Sequence, residues 1–180
     1  AKLESLDRTR ELASVVLAEA PAIRVGPARD ATAWLSAVND VALAALAAEA
    51  IGGAARCLEL AVEYAKLREQ FGRPIGSFQA IKHKCANLLV EIESGRSAAY
   101  HASAAVADPG PDASIAAALA KAFCSQAFTR AAKECIQIHG GVGFTWEHDA
   151  HLYLRRAKSS ELLFGTPSRL RSRLASLVGI

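Results

Sequence analysis

The residues able to do chemistry fall in a few short stretches. In REQFGRPIGSFQAIKHK, residues 68–84, Arg68 and Gln70 stand where one helical pattern ends, and Gln79 stands in the first turn of the next. A helix N-terminus offers free N–H groups and the positive end of a dipole, and an arginine adds a forked donor. Together they suit a phosphate or pyrophosphate. An ordinary helix–helix turn with a capping arginine accounts for the same residues. In QIHGGVGF, residues 137–144, Gln137 and His139 precede two adjacent glycines. Glycines let a ligand approach the backbone closely, and they equally serve as a helix C-cap and tight turn. No strand precedes them, so the stretch is neither a P-loop nor a dinucleotide fingerprint.

WEHDAH, residues 146–151, groups Glu147, His148, Asp149 and His151. Their order matches no metal signature, and Asp149 reads as an N-cap, so no metal is expected. His83 and His101 are lone helical histidines, expected to be structural or exposed. RLRSRL puts Arg169 and Arg173 four residues apart on one helix face, which suits either a solvated or interface face or a contact to an anionic ligand. In ELLFGTPSRLR, residues 161–171, Thr166 can N-cap a helix whose first turn holds Pro167. Phe164, before Gly165, is a bulky aromatic at a glycine-flanked turn. Glu161 is the only acid near that turn, three residues away. The four cysteines, Cys57, Cys85, Cys124 and Cys135, form no CxxC pair and read as small buried hydrophobes in a reducing compartment.

The elements that must position these residues are helices. The 180-residue chain is 52% hydrophobic, and alanine, the strongest helix former, dominates runs such as VALAALAAEA. Residues 11–26 read as one or two short strands through Val15, Val16 and Leu17, interrupted by Pro21. Partners for these strands are expected in a missing N-terminal region or another chain. After GPARD the apolar period becomes helical. Helices are expected over 31–69, 77–107, 112–138, 149–163 and 166–177, broken by Gly72, by DPGPD, by the glycine-rich turn and by Gly165. Long helices joined by short loops make an antiparallel bundle. Their faces are so apolar that an oligomer is expected.

Other classes are less well served. The net charge of +3 is mild and its cations are spread, so no nucleic-acid role is expected. No apolar run is expected to reach membrane-spanning length, because charges interrupt every one, and the N-terminus lacks a signal-peptide core. The expected compartment is the cytoplasm. No methionine stands at position 1, so the chain is expected to be a fragment, a processed product or the ordered part of something longer.

REQFGRPIGSFQ, QIHGGVGFTWEHDAHLYLRRAK and the Gly-Thr pair before the last helix, in this order and spacing, resemble the acyl-CoA dehydrogenase family from about residue 10 onward. The resemblance implies a mainly α fold. It would be the family's C-terminal four-helix domain over residues 30–180, after a remnant of its middle β-domain over 1–29. It implies FAD-dependent oxidation of an acyl-CoA thioester to the 2,3-enoyl-CoA, with a glutamate taking the α-proton and the β-hydride passing to flavin N5. By position, Arg68, Phe71 and Gln79 resemble residues that hold the FAD pyrophosphate and neighbouring groups across a subunit interface. Gln137, Ile138, Gly140 and Gly141 resemble the stretch meeting the ADP part of a neighbour's flavin. Thr166 resembles the threonine near the chain's own flavin.

One position departs from the family. Its usual glutamate stands immediately before the Gly-Thr pair, where this chain has Phe164. The other placement used in the family matches Ala42, flanked by Val41 and Leu43. The resemblance therefore implies a non-catalytic subunit of an actinobacterial-type heteromeric (α2β2) acyl-CoA dehydrogenase, acting on a substrate such as a steroid side-chain CoA. Its partner would bear the glutamate, and an electron-transfer flavoprotein would accept the electrons. Two alternatives stand beside it: an active homotetramer with its base at Glu49 or Glu161, and a scaffold subunit that binds no flavin.

Overall fold

The computed structural model describes residues 1–26 and 30–180. Elements run in the order β1 (Lys2–Leu3), β2 (Leu12–Ala13), α1 (Thr32–Leu67), β3 (Glu69–Gln70), β4 (Arg73–Pro74), α2 (Gln79–Ala107), α3 (Ala113–His139), α4 (Gly141–Phe144), α5 (Ala150–Leu162) and α6 (Pro167–Leu177). The five expected helices all form, with ends within two residues of those read from the pattern. The expected boundary at residue 29 lies outside the described residues.

α3 is the central helix and buries 17 of its 27 residues. It packs on α1, α2, α5 and α6, which is why its sequence is small and apolar nearly all round. Alanines at 47, 54 and 61 of α1 and at 117, 120 and 131 of α3 are fully buried and allow close approach. The large core side chain is Phe128, which fills the slot left by Gly53. A Cβ there would sit 2.4 Å from the ring. Thus the Gly52-Gly53 pair, a weak point in helix propensity, holds one glycine required by packing.

α1 and α2 are joined by a two-residue hairpin in which Gln70 pairs with Arg73. Gln70 is therefore in a short ladder, and not at a helix end as expected. Both turn residues, Phe71 (φ 57) and Gly72 (φ 73), are left-handed, the geometry of a two-residue hairpin loop.

Three further expectations need correction. Val15, Val16 and Leu17 form no strand and are exposed. The only strand in that region, β2, pairs antiparallel with β1, inside this chain. The glycine-rich turn includes a one-turn helix, α4, and Asp149 precedes α5 without capping it through its side chain. His148 Nδ1 instead accepts from the Ala150 N–H at 3.1 Å. Finally, α1 contains an 18-residue window of mean hydropathy 1.6, long and apolar enough by composition to cross a bilayer. Here its buried face packs against α2 and α3, and core helices of this kind meet the same criterion.

The N-terminal segment is fastened to the bundle by polar contacts. Arg10 donates to Ser160 Oγ at 2.8 Å and pairs with Glu49, while Arg156 pairs with buried Asp7 at 3.1 Å.

Candidate functional site

The predicted residues gather at two ends of the bundle. At the first end, Arg68 is the C-cap of α1, its N–H bonded to Tyr64 O at 2.8 Å. Gln79 opens α2, with its amide 3.4 Å from His83 Nε2. No side chain caps α2; the Ile81 N–H is taken by Phe78 O at 3.1 Å, which leaves those of Gln79 and Ala80 without a protein partner among the described residues. Arg73 lies 4.1 Å from the Phe78 ring centroid, and Phe71 meets that ring edge-on at 6.0 Å. Phe71 itself is 92% exposed. Among the described residues Arg68 forms no ion pair, and neither do Lys66 and Lys82 nearby, so this end carries several uncommitted cations.

The Gln137–Gly141 stretch closes α3 at the same end. Tyr64, one turn before Arg68, stacks on His139 at 4.4 Å, and Lys84 of α2 pairs with Glu134. A cavity of about 340 Å³ opens beside them, lined by Ile81, Lys84, Gln137 and Ile138 among others. Gln137 is exposed, whereas Ile138 is 5% exposed and belongs to the core. Gly140 has φ 62 and ψ −135, a conformation that favours glycine, and donates to Ile136 O at 3.0 Å. His139 is buried behind it. Burial lowers its pKa, against the opposing effect of its Nδ1 contact with Cys135 O at 2.7 Å. The sequence reading missed Gly143, where a Cβ would lie 2.8 Å from Ile136 O. The third glycine of GGVG was the available signal.

The second end lies at the start of α1. Phe164 adopts φ 55 and is 58% exposed, and Gly165 follows at φ 115. Left-handed backbone costs an aromatic residue about 1 kcal/mol or more. Thr166 caps α6 as expected, accepting from the Arg169 N–H at 3.3 Å. An open cavity of about 720 Å³ is lined here by Thr32, Leu35, Phe164, Thr166, Arg169 and Arg173, with others. Two of the three arginines of RLRSRL, Arg169 and Arg173, thus share this groove. Arg173 is committed: it donates to Asp40 Oδ1 at 2.7 Å, and Ser114 donates to the other oxygen of that carboxylate. Asp40 stands two residues before Ala42 and is a carboxylate the sequence reading passed over. It is 5% exposed and held by both partners.

The two proposed displaced bases are also engaged. Glu49 accepts from Arg10 and, at 2.9 Å, from Ser160 Oγ. Burial alone would raise the Glu161 pKa, but the Thr129 hydroxyl at 2.6 Å and Lys158 at 3.1 Å outweigh it and hold the carboxyl below its usual range. Neither glutamate lines the Phe164 groove. No group of three His, Cys, Asp or Glu side chains converges among the described residues, and the four cysteines are free thiols.

The two ends are far apart. From Asn39, which lines the Phe164 groove, to Arg68 runs one continuous helix spanning about 40 Å at about 1.5 Å per residue.

Residues 40–178 match the family described as acyl-CoA dehydrogenase, C-terminal domain. The chain is 47% identical over 178 residues to acyl-CoA dehydrogenase FadE34 of Mycobacterium tuberculosis, covering 97% of this chain and 24% of that protein. Among solved structures, it superposes on the Tcur3481-Tcur3483 steroid acyl-CoA dehydrogenase with a TM-score of 0.79 at 34% identity, covering 82% of this chain and 41% of that one. It also superposes on the ChsE4-ChsE5 complex from Mycobacterium tuberculosis with a TM-score of 0.74 at 31% identity, covering 82% and 39%. The chain spans 24% of one curated relative and 51% of another.

Proposed function

The chain belongs to the acyl-CoA dehydrogenase family, and on that premise we propose that it is a non-catalytic subunit of a heteromeric, FAD-dependent acyl-CoA dehydrogenase. It completes the flavin site of a partner that carries the glutamate base. The observation that carries this reading is the separation of about 40 Å along α1 between the Arg68–Gln79–Gln137 end and the Thr166 end. No single dinucleotide spans that distance, which supports two different flavins, each drawing on two chains.

Residues at the first end fit the cofactor. Arg68 and the uncapped N-terminus of α2 offer donors for a pyrophosphate. Phe71 offers an exposed apolar face. Gln137 and the backbone of Gly140 and Gly141 offer polar contact and close approach for the ADP part. When bound, FAD supplies the hydride acceptance that desaturates the acyl-CoA. This chain's part is to hold and orient it. At the second end, Phe164 cannot take a proton, and Asp40, Glu49 and Glu161 are each bonded to cationic or hydroxyl partners. The likeness to a steroid acyl-CoA dehydrogenase and to a two-component complex favours a steroid side-chain CoA as substrate and an α2β2 assembly. We assign the protein to the cytoplasm, with an electron-transfer flavoprotein as acceptor.

The test is flavin content by visible absorbance, for the full-length protein alone and co-expressed with a glutamate-bearing partner. Little flavin alone and stoichiometric flavin in the complex are expected. Full flavin in the isolated protein would overturn the shared-site reading. Unchanged flavin in a complex carrying Arg68→Ala and Gln79→Ala would point to a scaffold.

A further inference from the structure

Lys121 of α3 is fully buried and forms no salt bridge with any carboxylate among the described residues. The Glu161 and Glu49 carboxylates lie near enough to favour its charge without reaching ion-pair distance, and a buried ammonium still needs direct hydrogen-bond acceptors. Its Nζ donates to Ser125 Oγ at 2.9 Å and points to the backbone carbonyl of Glu161 at 3.5 Å. That carbonyl belongs to the last turn of α5, the negative end of the helix dipole, where carbonyls lack intrahelical partners. Neighbouring carbonyls there are taken by the chain itself: Ser159 O accepts from Leu163 N at 3.3 Å, and Leu162 O from Gly165 N at 3.4 Å. Two residues beyond α5 stands Phe164 in its left-handed conformation. α3 grips the same turn a second time through Thr129 on the Glu161 carboxylate.

We propose that Lys121 is a positioning residue for the Phe164–Gly165–Thr166 turn: from α3 it caps the C-terminus of α5 and so fixes the backbone that carries the position of the family's base. It lines none of the cavities described, so it acts through the turn and not on a ligand. Burial holds its pKa down to about 8, so the fold retains a charge that costs stability, as expected of a residue kept for placement. The inference concerns this chain's own turn, and its test does not depend on the shared-flavin reading.

The test is hydrogen–deuterium exchange by mass spectrometry on the full-length protein, in whatever assembly it is purified. Losing a charge-assisted bond at one helix end is expected to speed exchange in a peptide over residues 161–170 by at least about tenfold in Lys121→Met. Peptides over residues 44–61 and 88–102 are expected to stay within about twofold. Lys121→Gln, which keeps a donor, should restore most of the protection. No local change, an equal rise across all three regions, or a Gln variant as fast as the Met variant overturns the proposal. The wild type gives a check free of any folding defect: residues 161–170 should be protected like α3, and protection as low as that of exposed residues 14–25 would equally overturn it.

Discussion

Gly143→Ala separates folding from flavin contact when paired with Gly141→Ala. A Cβ at residue 143 would meet Ile136 O at 2.8 Å, His139 Cβ at 3.0 Å and Ile136 Cα at 3.1 Å. Two of these are backbone atoms of α3, which cannot rotate away. Ile136 O also accepts the Gly140 N–H at 3.0 Å, so moving it loosens the cap that holds Gly140 at its positive φ. Overpacking of this kind costs about 1–3 kcal/mol, or a fall in melting temperature of about 2–4 °C per kcal/mol for a chain of this size. A Cβ at residue 141 meets nothing within 4 Å and Gly141 has no positive φ, so Gly141→Ala should leave the melting temperature within about 2 °C. If a flavin lies on that backbone, however, the same methyl enters its space. The assay is thermal unfolding by circular dichroism, with flavin per complex by visible absorbance. Gly143→Ala is expected to lower both, and Gly141→Ala to lower flavin alone. An unchanged melting temperature in Gly143→Ala refutes the steric argument. Full flavin in Gly141→Ala refutes the assignment of that glycine to the cofactor.

Three other outcomes follow from the packing and titration of single residues. Between about pH 8 and its unfolded value of 10.5, Lys121 is neutral when folded and charged when unfolded; the unfolded state then binds more protons, so stability rises with pH across that window, by on the order of 3 kcal/mol. Urea unfolding at pH 7 and pH 10 should show this rise in the wild type relative to Lys121→Met, and parallel curves would refute it. Gly52→Ala, with open space around its Cβ, should stabilise the chain by up to about 1 kcal/mol. Gly53→Ala, which drives a methyl into Phe128, should destabilise it by about 1–3 kcal/mol; a difference of the opposite sign in denaturation midpoints would be decisive against this packing. Phe164→Asn should raise stability by roughly 0.5–1 kcal/mol, because asparagine tolerates the left-handed region and the exposed ring loses little burial. A lower melting temperature would mean the ring is held by contacts.

What the sequence made legible was local. Apolar period, alanine runs and the breaks at Gly72, DPGPD and Gly165 sufficed for five helices, and the Thr166-Pro167 pair for the start of α6. The turn at residue 71 was less legible, because a phenylalanine in left-handed backbone contradicts its own propensity. The strand expected at Val15–Leu17 failed for the converse reason: β-prone residues make no strand without a partner, and β1 pairs only with Leu12 and Ala13. In the candidate site, the groups at the first end came from one connection and one helix end, so they were visible as motifs. Asp40 with Arg173, Lys121 with Glu161, and Thr129 with Glu161 join residues far apart in the chain. No local pattern announces such pairs.

The geometry at Phe164 bears on why a base can be absent from an otherwise intact turn. Its left-handed φ is not a preference of phenylalanine, so the surroundings impose it. The Thr166 cap fixes the residue after Gly165, the α5 C-terminus fixes the residue before, and α3 anchors that terminus through Lys121 and Thr129. None of these contacts uses the side chain at residue 164. The turn therefore tolerates exchange of that side chain without losing its shape, and chemistry at this end can be lost while the fold stays intact. The first end differs, since Arg68, the α2 N-terminus and the Gly140 backbone are both the fold's connection and the proposed cofactor contact. On the proposed reading, changes there disturb two properties at once, so substitution at the first end is expected to cost both stability and flavin, and substitution at residue 164 neither.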